Sequence, residues 1–347
     1  MWHLSCVKSF VIVLLALIAV NLAPDTVSGD EIFNQTFSIP TNFWSIQVEN
    51  DSINRSEDGN YTGGVEVSWL KSGPGPKWIT GLAEWLPFYH LSEERIAANY
   101  SLGQKIFTPA DTTRAELITD DRPYAGYLYF GTALLSEIEQ KENILTSNIF
   151  EVTVGVVGPA SGAEFVQKGV HKIIDTLEPM GWDNQLKNEL GLDISYTRLW
   201  SIVLQGPGSL QYGISPHLTA EFGNIYTHGA AGLMFRLGNN LRASFNAPCI
   251  RPGFPGVCYF QSSSQINWYL FAGHERRFVI RDIFLDGNTF AESHSVDKEQ
   301  LVGESQIGIA LHSGRFSLAL SNLMRTREFS GQDDLAEYTS LNLAFTL

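Results

Sequence analysis

The feature that most constrains the fold is a long series of short segments in which apolar and polar residues alternate. Val65, Val67 and Trp69 share one face of such a segment, with Glu66 and Ser68 between them. A period of two is the pattern of a β-strand with two different environments on its faces. The pattern predicts twelve or thirteen strands. They are Phe43–Glu49, Gly64–Leu70, Tyr100–Phe107, Tyr127–Glu137, Ile149–Val157, Leu192–Leu204, Tyr212–Gly223, Gly229–Leu237, Ile266–Glu275, Phe278–Leu285, Glu304–Ser313, Phe316–Arg325 and Glu337–Phe345.

After residue 29, no window holds eighteen uninterrupted apolar residues, which excludes a multi-helix membrane protein. A nearly continuous series of strands that ends in an alternating segment at the C-terminus favours a closed barrel, because closure removes every exposed strand edge. A soluble β-sandwich would also alternate. Aromatic residues at the ends of the predicted strands are typical of the interfacial girdles of membrane barrels. They are Trp44, Trp69, Trp78, Trp85, Tyr127, Tyr129, Trp200, Trp268 and Tyr269. We therefore predict an all-β, antiparallel transmembrane β-barrel of about 12 strands in a bacterial outer membrane.

The N-terminus carries an apolar stretch at residues 10–23, preceded by Lys8 and followed by the small residues Val27, Ser28 and Gly29. This pattern predicts a secretory signal over residues 1–29, and residues 30–347 are then a single barrel domain. A transmembrane anchor is the alternative, but about 14 apolar residues are short for a hydrocarbon layer of roughly 30 Å.

The formal net charge of −14 makes nucleic acid an unexpected partner. Acidic surfaces also suit divalent cations, although many exported proteins are acidic. Cys249 and Cys258 flank a turn-rich loop, and a disulfide between them is the simple prediction for an oxidising compartment. Two free thiols are the alternative.

Two segments interrupt the strand pattern, and both are predicted to be helical insertions: Trp78–Ala98 and Ala163–Glu189. On a helix, the second would carry one polar row and one opposed apolar row. The polar row holds Glu164, Gln167, His171, Asp175 and Glu178, and the apolar row holds Val166, Val170, Ile173 and Leu177. The polar row could transfer protons. An amphipathic surface helix with a solvated histidine has the same pattern.

Near the start of the predicted domain, Glu49–Asp51 ends one strand and the glycine-rich turn Asp58–Gly64 opens the next. The Asp51 carboxylate, the Thr62 hydroxyl and nearby carbonyls are oxygen donors of the kind that Ca²⁺ prefers, although a polar hairpin has the same composition. The sequence has no Gly-x-Ser-x-Gly, HExxH, P-loop or CxxC motif. A histidine that acts on water beside a cation therefore remains open.

Together these segments resemble the outer-membrane lipid A 3′-O-deacylase (LpxR-like) family. The resemblance runs from about residue 42 to the C-terminus. It rests on Glu49–Asp51, Asp58–Gly64, Asp121–Tyr129, and Gly158–Pro159 followed by Glu164, Gln167 and His171. It implies a twelve-stranded barrel with Ca²⁺ and a catalytic histidine, whose site lies between the wall and a helical insertion on the outer-leaflet side.

Carried over residue by residue, the resemblance makes His171 the general base and Asn50 and Asp51 the pair at the cation and active site. It implies Thr62 as a further Ca²⁺ ligand and the Gly59 amide as the oxyanion donor.

Gln167 would orient His171 or the water, because side chains four residues apart on a helix are neighbours. Arg114 and Glu178 would contact the substrate, with Arg114 toward lipid phosphate. The implied substrate is lipid A or lipopolysaccharide among outer-membrane lipids, with the barrel acting as a monomer. An outer-membrane phospholipase and a non-enzymatic barrel or pore are the alternatives.

Overall fold

The computed structural model describes residues 39–51, 60–86, 89, 91–92, 95–141, 143–244 and 259–347. The predicted signal segment, Gly59, Cys249 and Cys258 lie outside the described residues. The predictions made for them are therefore not tested by the structure.

Twelve antiparallel strands close into one barrel in which each strand pairs with its neighbours in sequence and β1 pairs with β12. The strands are β1 (Asn42–Asn50), β2 (Asn60–Ser72), β3 (Ile96–Thr108), β4 (Ala125–Lys141), β5 (Ile144–Val157), β6 (Glu189–Gln205), β7 (Leu210–Gly223), β8 (Tyr226–Asn239), β9 (Ser263–Asp282), β10 (Leu301–Gly314), β11 (Phe316–Arg325) and β12 (Ala336–Thr346). The predicted fold class is confirmed.

The prediction of two strands at residues 266–275 and 278–285 is wrong, because both segments lie largely in β9. Only Arg276 and Arg277 lie between the two predicted strands. In the structure, Glu275 and Arg277 face the lumen and pair with each other at 2.7 Å, so the strand continues through them.

The alternation predicted from the sequence separates a lipid-facing wall from a lumen. Val65 and Val67 are exposed on the outside, whereas Ser68 on the other face is buried. Trp44 and Trp69 also face outward and stack with ring centroids 5.7 Å apart, as the girdle prediction requires.

The girdle prediction is wrong for Tyr127, Tyr129 and Tyr269, which are buried and face the lumen. These residues occupy the lumen-facing positions of their strands, and residue type alone does not distinguish the two faces.

The helices are shorter than predicted. The two predicted insertions overlap α1 (Lys77–Glu84) and α2 (Ala163–Ile174), and a further short helix, α3 (Ile283–Asp286), lies where the sequence predicts the end of a strand. The first predicted insertion, 78–98, overlaps the start of β3 at Ile96. The second, 163–189, contains a helix only as far as Ile174, because Asp175 takes a left-handed conformation with φ 55°. Among the described residues, no helix is long and apolar enough to cross a membrane.

The lumen is packed with side chains. Phe284 of α3 stacks on Phe107 of β3 with ring centroids 4.1 Å apart. Beside this stack, Glu304 accepts hydrogen bonds from Arg277 at 3.0 Å and from Arg325 at 2.8 Å. Aromatic rings and paired charges therefore fill the lumen at the rim where β3 ends.

At that rim Asp51, directly after β1, lies with the connections after β3, β5, β9 and β11: residues 109–124, 158–188, 283–300 and 326–335. Long loops are typical of the outer face of an outer-membrane barrel. This rim, called the outer rim below, carries the described residues that the sequence predicts for the site.

Candidate active site

The helix α2 lies against the outer surface of the barrel wall. Gln104 of β3 donates a hydrogen bond from Nε2 to the Ser161 carbonyl at 2.7 Å, just before the helix begins. Gln104 belongs to the face of β3 that includes Leu102, which is exposed to the outside. Gly126 of β4 leaves room for the start of the helix, since a Cβ there would lie 2.2 Å from the Ala163 Cβ. Because position 126 is a glycine, the start of α2 can pack closely against the wall and is seated there.

The polar side of α2 faces the protein and its apolar side faces outward. Gln167 and His171 are buried, whereas Phe165 is 84% exposed and Ile173 is 85% exposed. The interpretation of His171 as a solvated surface residue is wrong, because its exposed fraction is 6%. An apolar surface directed away from the protein suits lipid rather than water.

The predicted polar row is only partly correct. Asp175 ends the helix, and Glu178 lies beyond it on an exposed segment. Lys168 Nζ lies 3.0 Å from a Glu164 carboxylate oxygen and 3.3 Å from one of Glu178. The hydrogen bond to Glu164 raises the pKa of Lys168, and Glu178 adds to the effect. Glu178 therefore contacts the charged edge of the helix.

His171 is held by the chain that follows the helix. The left-handed Asp175 turns the backbone back, so that Thr176 N donates to the His171 carbonyl at 3.0 Å. The Leu177 carbonyl then lies 2.5 Å from His171 Nδ1. A carbonyl can only accept, so Nδ1 carries the proton. In the neutral imidazole, Nε2 is then the acceptor and can serve as a base.

Gln167 is fixed one helical turn before His171. Its Oε1 accepts a hydrogen bond from the indole Nε1 of Trp182 at 2.8 Å. Trp182 is buried and its ring lies 5.1 Å from that of Tyr124. The segment after α2 therefore packs back onto the loop that precedes β4.

The β1–β2 hairpin places Asn50, Asp51 and Thr62 side by side. The β2–β3 register shifts between Tyr61 and Gly63, so Thr62 lies in a bulge. The Thr62 carbonyl accepts from Asn50 Nδ2 at 3.3 Å and from Asp51 N at 3.4 Å. Its hydroxyl lies 2.6 Å from that of Thr108. Bulges often redirect a side chain beside a functional site.

Strand pairing connects the hairpin to the helix. Asn50 pairs with Gly63, Gly63 with Ile106, and Ile106 with Gly126, which seats α2. Neighbouring strands are about 4.8 Å apart, so Asn50 and Ile106 are separated by about 10 Å. Ala163 of α2 packs in a cluster with Ile106. The structure thus brings the hairpin and the histidine helix to the same rim, on neighbouring strands.

Arg114 lies at the same rim, in the loop before β4, with an exposed side chain. Its backbone carbonyl approaches Gly181, where a Cβ would lie 3.0 Å from it. The structure therefore places Arg114 beside the segment that contains Trp182.

Sequence reasoning missed Trp182, Tyr124 and Thr108. Trp182 falls in the predicted helical insertion, where no periodic pattern singles it out. Tyr124 belongs to the Asp121–Tyr129 block, and its ring contact with Trp182 gives that block a structural role. The proximity of Thr108 to Thr62 follows from the bulge in β2, which the sequence does not specify.

The oxygen donors at the hairpin fit a hard cation by type. Asp51 supplies a carboxylate and Thr62 a hydroxyl, whereas the Thr62 carbonyl already accepts hydrogen bonds from Asn50 and Asp51. Within the part of the chain that the structure describes, no group of three or more His, Cys, Asp or Glu side chains is placed to hold a metal ion. A cation at this position would therefore depend on hydroxyl and backbone oxygens as well as the Asp51 carboxylate.

A closed twelve-stranded barrel with an apolar outer wall and a polar site at its outer rim is an outer-membrane β-barrel protein. The family model described as outer membrane protein LpxR matches residues 10–347, and the chain belongs to that family. Comparison with curated proteins gave no significant match.

Among solved structures, LpxR from Salmonella typhimurium is 21% identical, with a TM-score of 0.70, and the match covers 88% of this chain and 100% of that one. It supports the fold. The β domain of the Bordetella autotransporter BrkA is 9% identical, with a TM-score of 0.46, and the match covers 89% of this chain and 100% of that one.

Proposed function

We propose that this protein is a Ca²⁺-dependent lipid A 3′-O-deacylase. It hydrolyses the 3′-linked acyloxyacyl ester of lipid A in the outer leaflet, with a water molecule that His171 activates. The observation that carries the proposal is the position of His171. It is buried against the outer wall, its Nδ1 is held by the Leu177 carbonyl, and it lies on a helix whose exposed side is apolar. Membership of the LpxR family supports the same assignment.

In the proposed reaction, Nε2 of His171 removes a proton from water while the water oxygen bonds to the ester carbonyl carbon. The bond between that carbon and the 3′ oxygen of the sugar then breaks. The proton passes from the imidazole to the leaving oxygen. The products are a carboxylic acid and a sugar hydroxyl, so atoms and charge balance without a protein nucleophile.

Asp51 and Thr62 are the proposed Ca²⁺ ligands, because the two residues are neighbours across the hairpin, joined by the bond from Asp51 N to the Thr62 carbonyl, and their side-chain oxygens are of the type that Ca²⁺ prefers. When bound, the cation supplies positive charge that stabilises the ester oxygen as negative charge develops on it. We propose that the Gly59 backbone N–H donates a hydrogen bond to the same ester oxygen. Gln167 is proposed to orient the attacking water. Asn50 helps to hold the bulge through its bond to the Thr62 carbonyl.

The apolar surroundings of the site suit the acyl chains of a glycolipid. Acyl chains can lie along the exposed apolar side of α2, where Phe165 and Ile173 point outward. The net charge of −14 opposes an anionic head group, so local cations must offset it. Arg114 is the proposed phosphate contact, and Glu178 the proposed contact at the edge of the helix.

The experiment is to incubate the purified protein with lipid A and Ca²⁺ and to analyse the products by mass spectrometry. We expect loss of the 3′-linked acyl group from wild type, and a rate lowered by about 10²- to 10⁴-fold in His171→Ala, because a general base is removed. His274→Ala is the matched control, since His274 lies on β9 outside the site. EDTA should abolish the reaction.

Equal deacylation by wild type and His171→Ala would exclude His171 as the base. A parallel incubation with glycerophospholipid distinguishes a lipid A deacylase from an outer-membrane phospholipase. Cleavage of that lipid alone would replace the proposal with an outer-membrane phospholipase.

A further inference from the structure

Trp182 is held where its own segment packs against the loop before β4, residues 109–124. Its ring packs against Tyr124 at a centroid distance of 5.1 Å, and 2% of its surface is exposed. Met180 N donates to the Thr112 carbonyl at 2.9 Å, which ties the segment before Trp182 to the loop before β4. At Gly181, a Cβ would lie 2.5 Å from the Tyr124 ring. The indole therefore has little freedom to rotate or withdraw.

The bond from Trp182 determines which way the Gln167 amide points. An indole N–H can donate a hydrogen bond but cannot accept one. The amide atom that faces Trp182 must therefore be the oxygen, as the 2.8 Å contact to Oε1 has it. Nε2 is then directed away from Trp182.

Gln167 has an exposed fraction of 3%, and its Nε2 has no hydrogen-bond partner among the described residues. A buried amide nitrogen without an acceptor is unfavourable, so an oxygen atom from water or a bound molecule is expected beside it. Gln167 lies one turn before His171 on the buried face of α2. That face thus presents an amide donor and an imidazole acceptor as neighbours.

We infer that Trp182 is a positioning residue for the proposed hydrolysis. By holding Oε1 of Gln167, it keeps Nε2 available to donate to the attacking water while His171 accepts the proton of that water. The inference rests on the proposed function. Without the indole N–H, the Gln167 amide could rotate by about 180° and present Oε1 to the water. The water would then lose the hydrogen bond from Nε2.

The test is Trp182→Phe, which keeps an aromatic ring against Tyr124 and removes the N–H. We expect kcat to fall by about 10- to 100-fold with KM nearly unchanged, because the water is misplaced while lipid binding is retained. Trp85→Phe is the matched control, since Trp85 is 87% exposed and remote from the outer rim. The heat-dependent gel mobility of folded barrels shows whether each variant is folded.

A second variant separates positioning from packing. Gln167→Met removes the amide and nearly preserves the side-chain volume. If Trp182 acts through Gln167, adding Trp182→Phe to Gln167→Met produces no further loss of kcat. Multiplied losses in the double variant, or wild-type kcat in Trp182→Phe, would overturn the inference.

The bond itself has a readout that does not depend on activity. In ¹⁵N-labelled protein, we expect the indole N–H resonance of Trp182 to shift and to exchange faster with solvent in Gln167→Met. If wild type releases no fatty acid from lipid A, the proposed function fails. An unchanged indole resonance in Gln167→Met would independently overturn the role of Trp182.

Discussion

Gly126→Ala tests whether the seating of α2 on the wall is required for the reaction. The new Cβ would lie 2.2 Å from both the Ala163 Cβ and the Ser161 Oγ, whereas ordinary contacts begin near 3.4 Å. The serine side chain can rotate, but the Ala163 Cβ is fixed to the helix backbone. The start of α2 must therefore move outward by at least about 1.2 Å. A misplacement of about 1 Å can lower a rate by about 10²-fold, so we expect kcat to fall by that order.

The strand itself tolerates the change, because alanine fits the wall of a barrel and the pairing of Gly126 with Ile106 is unaffected. Gly229→Ala on β8 is the matched control, since a Cβ there meets nothing within 4 Å. Both variants are compared for release of the 3′-linked acyl group, with the gel-mobility shift as the measure of folding. If Gly126→Ala is folded and as active as Gly229→Ala, the position of α2 does not govern the reaction.

Three further predictions concern the cation, the lumen and pH. In Asp51→Asn, the Ca²⁺ concentration for half-maximal deacylation should rise by about tenfold or more, because a carboxylate ligand is lost; an unchanged calcium titration would exclude Asp51 as a ligand. Wild type should show no steady conductance in planar bilayers, since Phe284 stacks on Phe107 inside the lumen, and Phe284→Ala should raise the conductance; open channels in wild type would instead favour the pore. Burial alone would raise the pKa of Glu328. The positive charges of Arg325, Arg122 and Arg277 outweigh burial and lower this pKa overall. Its carboxylate therefore stabilises the fold above its ordinary pKa and loses this effect as pH falls through the lowered value. The thermal midpoint in detergent should drop more on acidification for wild type than for Glu328→Gln, and parallel profiles would contradict this.

The strands could be predicted because alternation is a local property of the chain. The segment Phe316–Arg325 matches β11 in both bounds, and most other strands extend a few residues beyond their predictions. The one division that failed left Arg276 and Arg277 between two predicted strands, whereas β9 runs through both residues. Inside the barrel, Arg277 pairs with Glu275 of the same strand and with Glu304 of β10, and the second pair depends on the register between the two strands.

The helix shows where periodicity is insufficient. Residues 163–174 have an apolar side and a polar side, as the sequence indicates. In water the apolar side would pack inward, but at a lipid-facing wall it can remain outside. The sequence pattern defines two faces and does not specify the medium around them. Only the closed barrel decides that His171 is buried and Phe165 is exposed.

The amino-acid sequence alone determined the alternating strands, apart from the division within β9. It also determined the interruption of the strand pattern at α2 and the residue types available for chemistry, because these follow from local periodicity and composition. The tertiary structure decided which of those residues meet. The register across β1 to β4 brings Asn50 and the seat of α2 to one rim, and the return of the chain after Asp175 places Leu177 on His171 and Trp182 on Gln167. Such contacts depend on strand register and on a backbone reversal, which no short segment of sequence encodes.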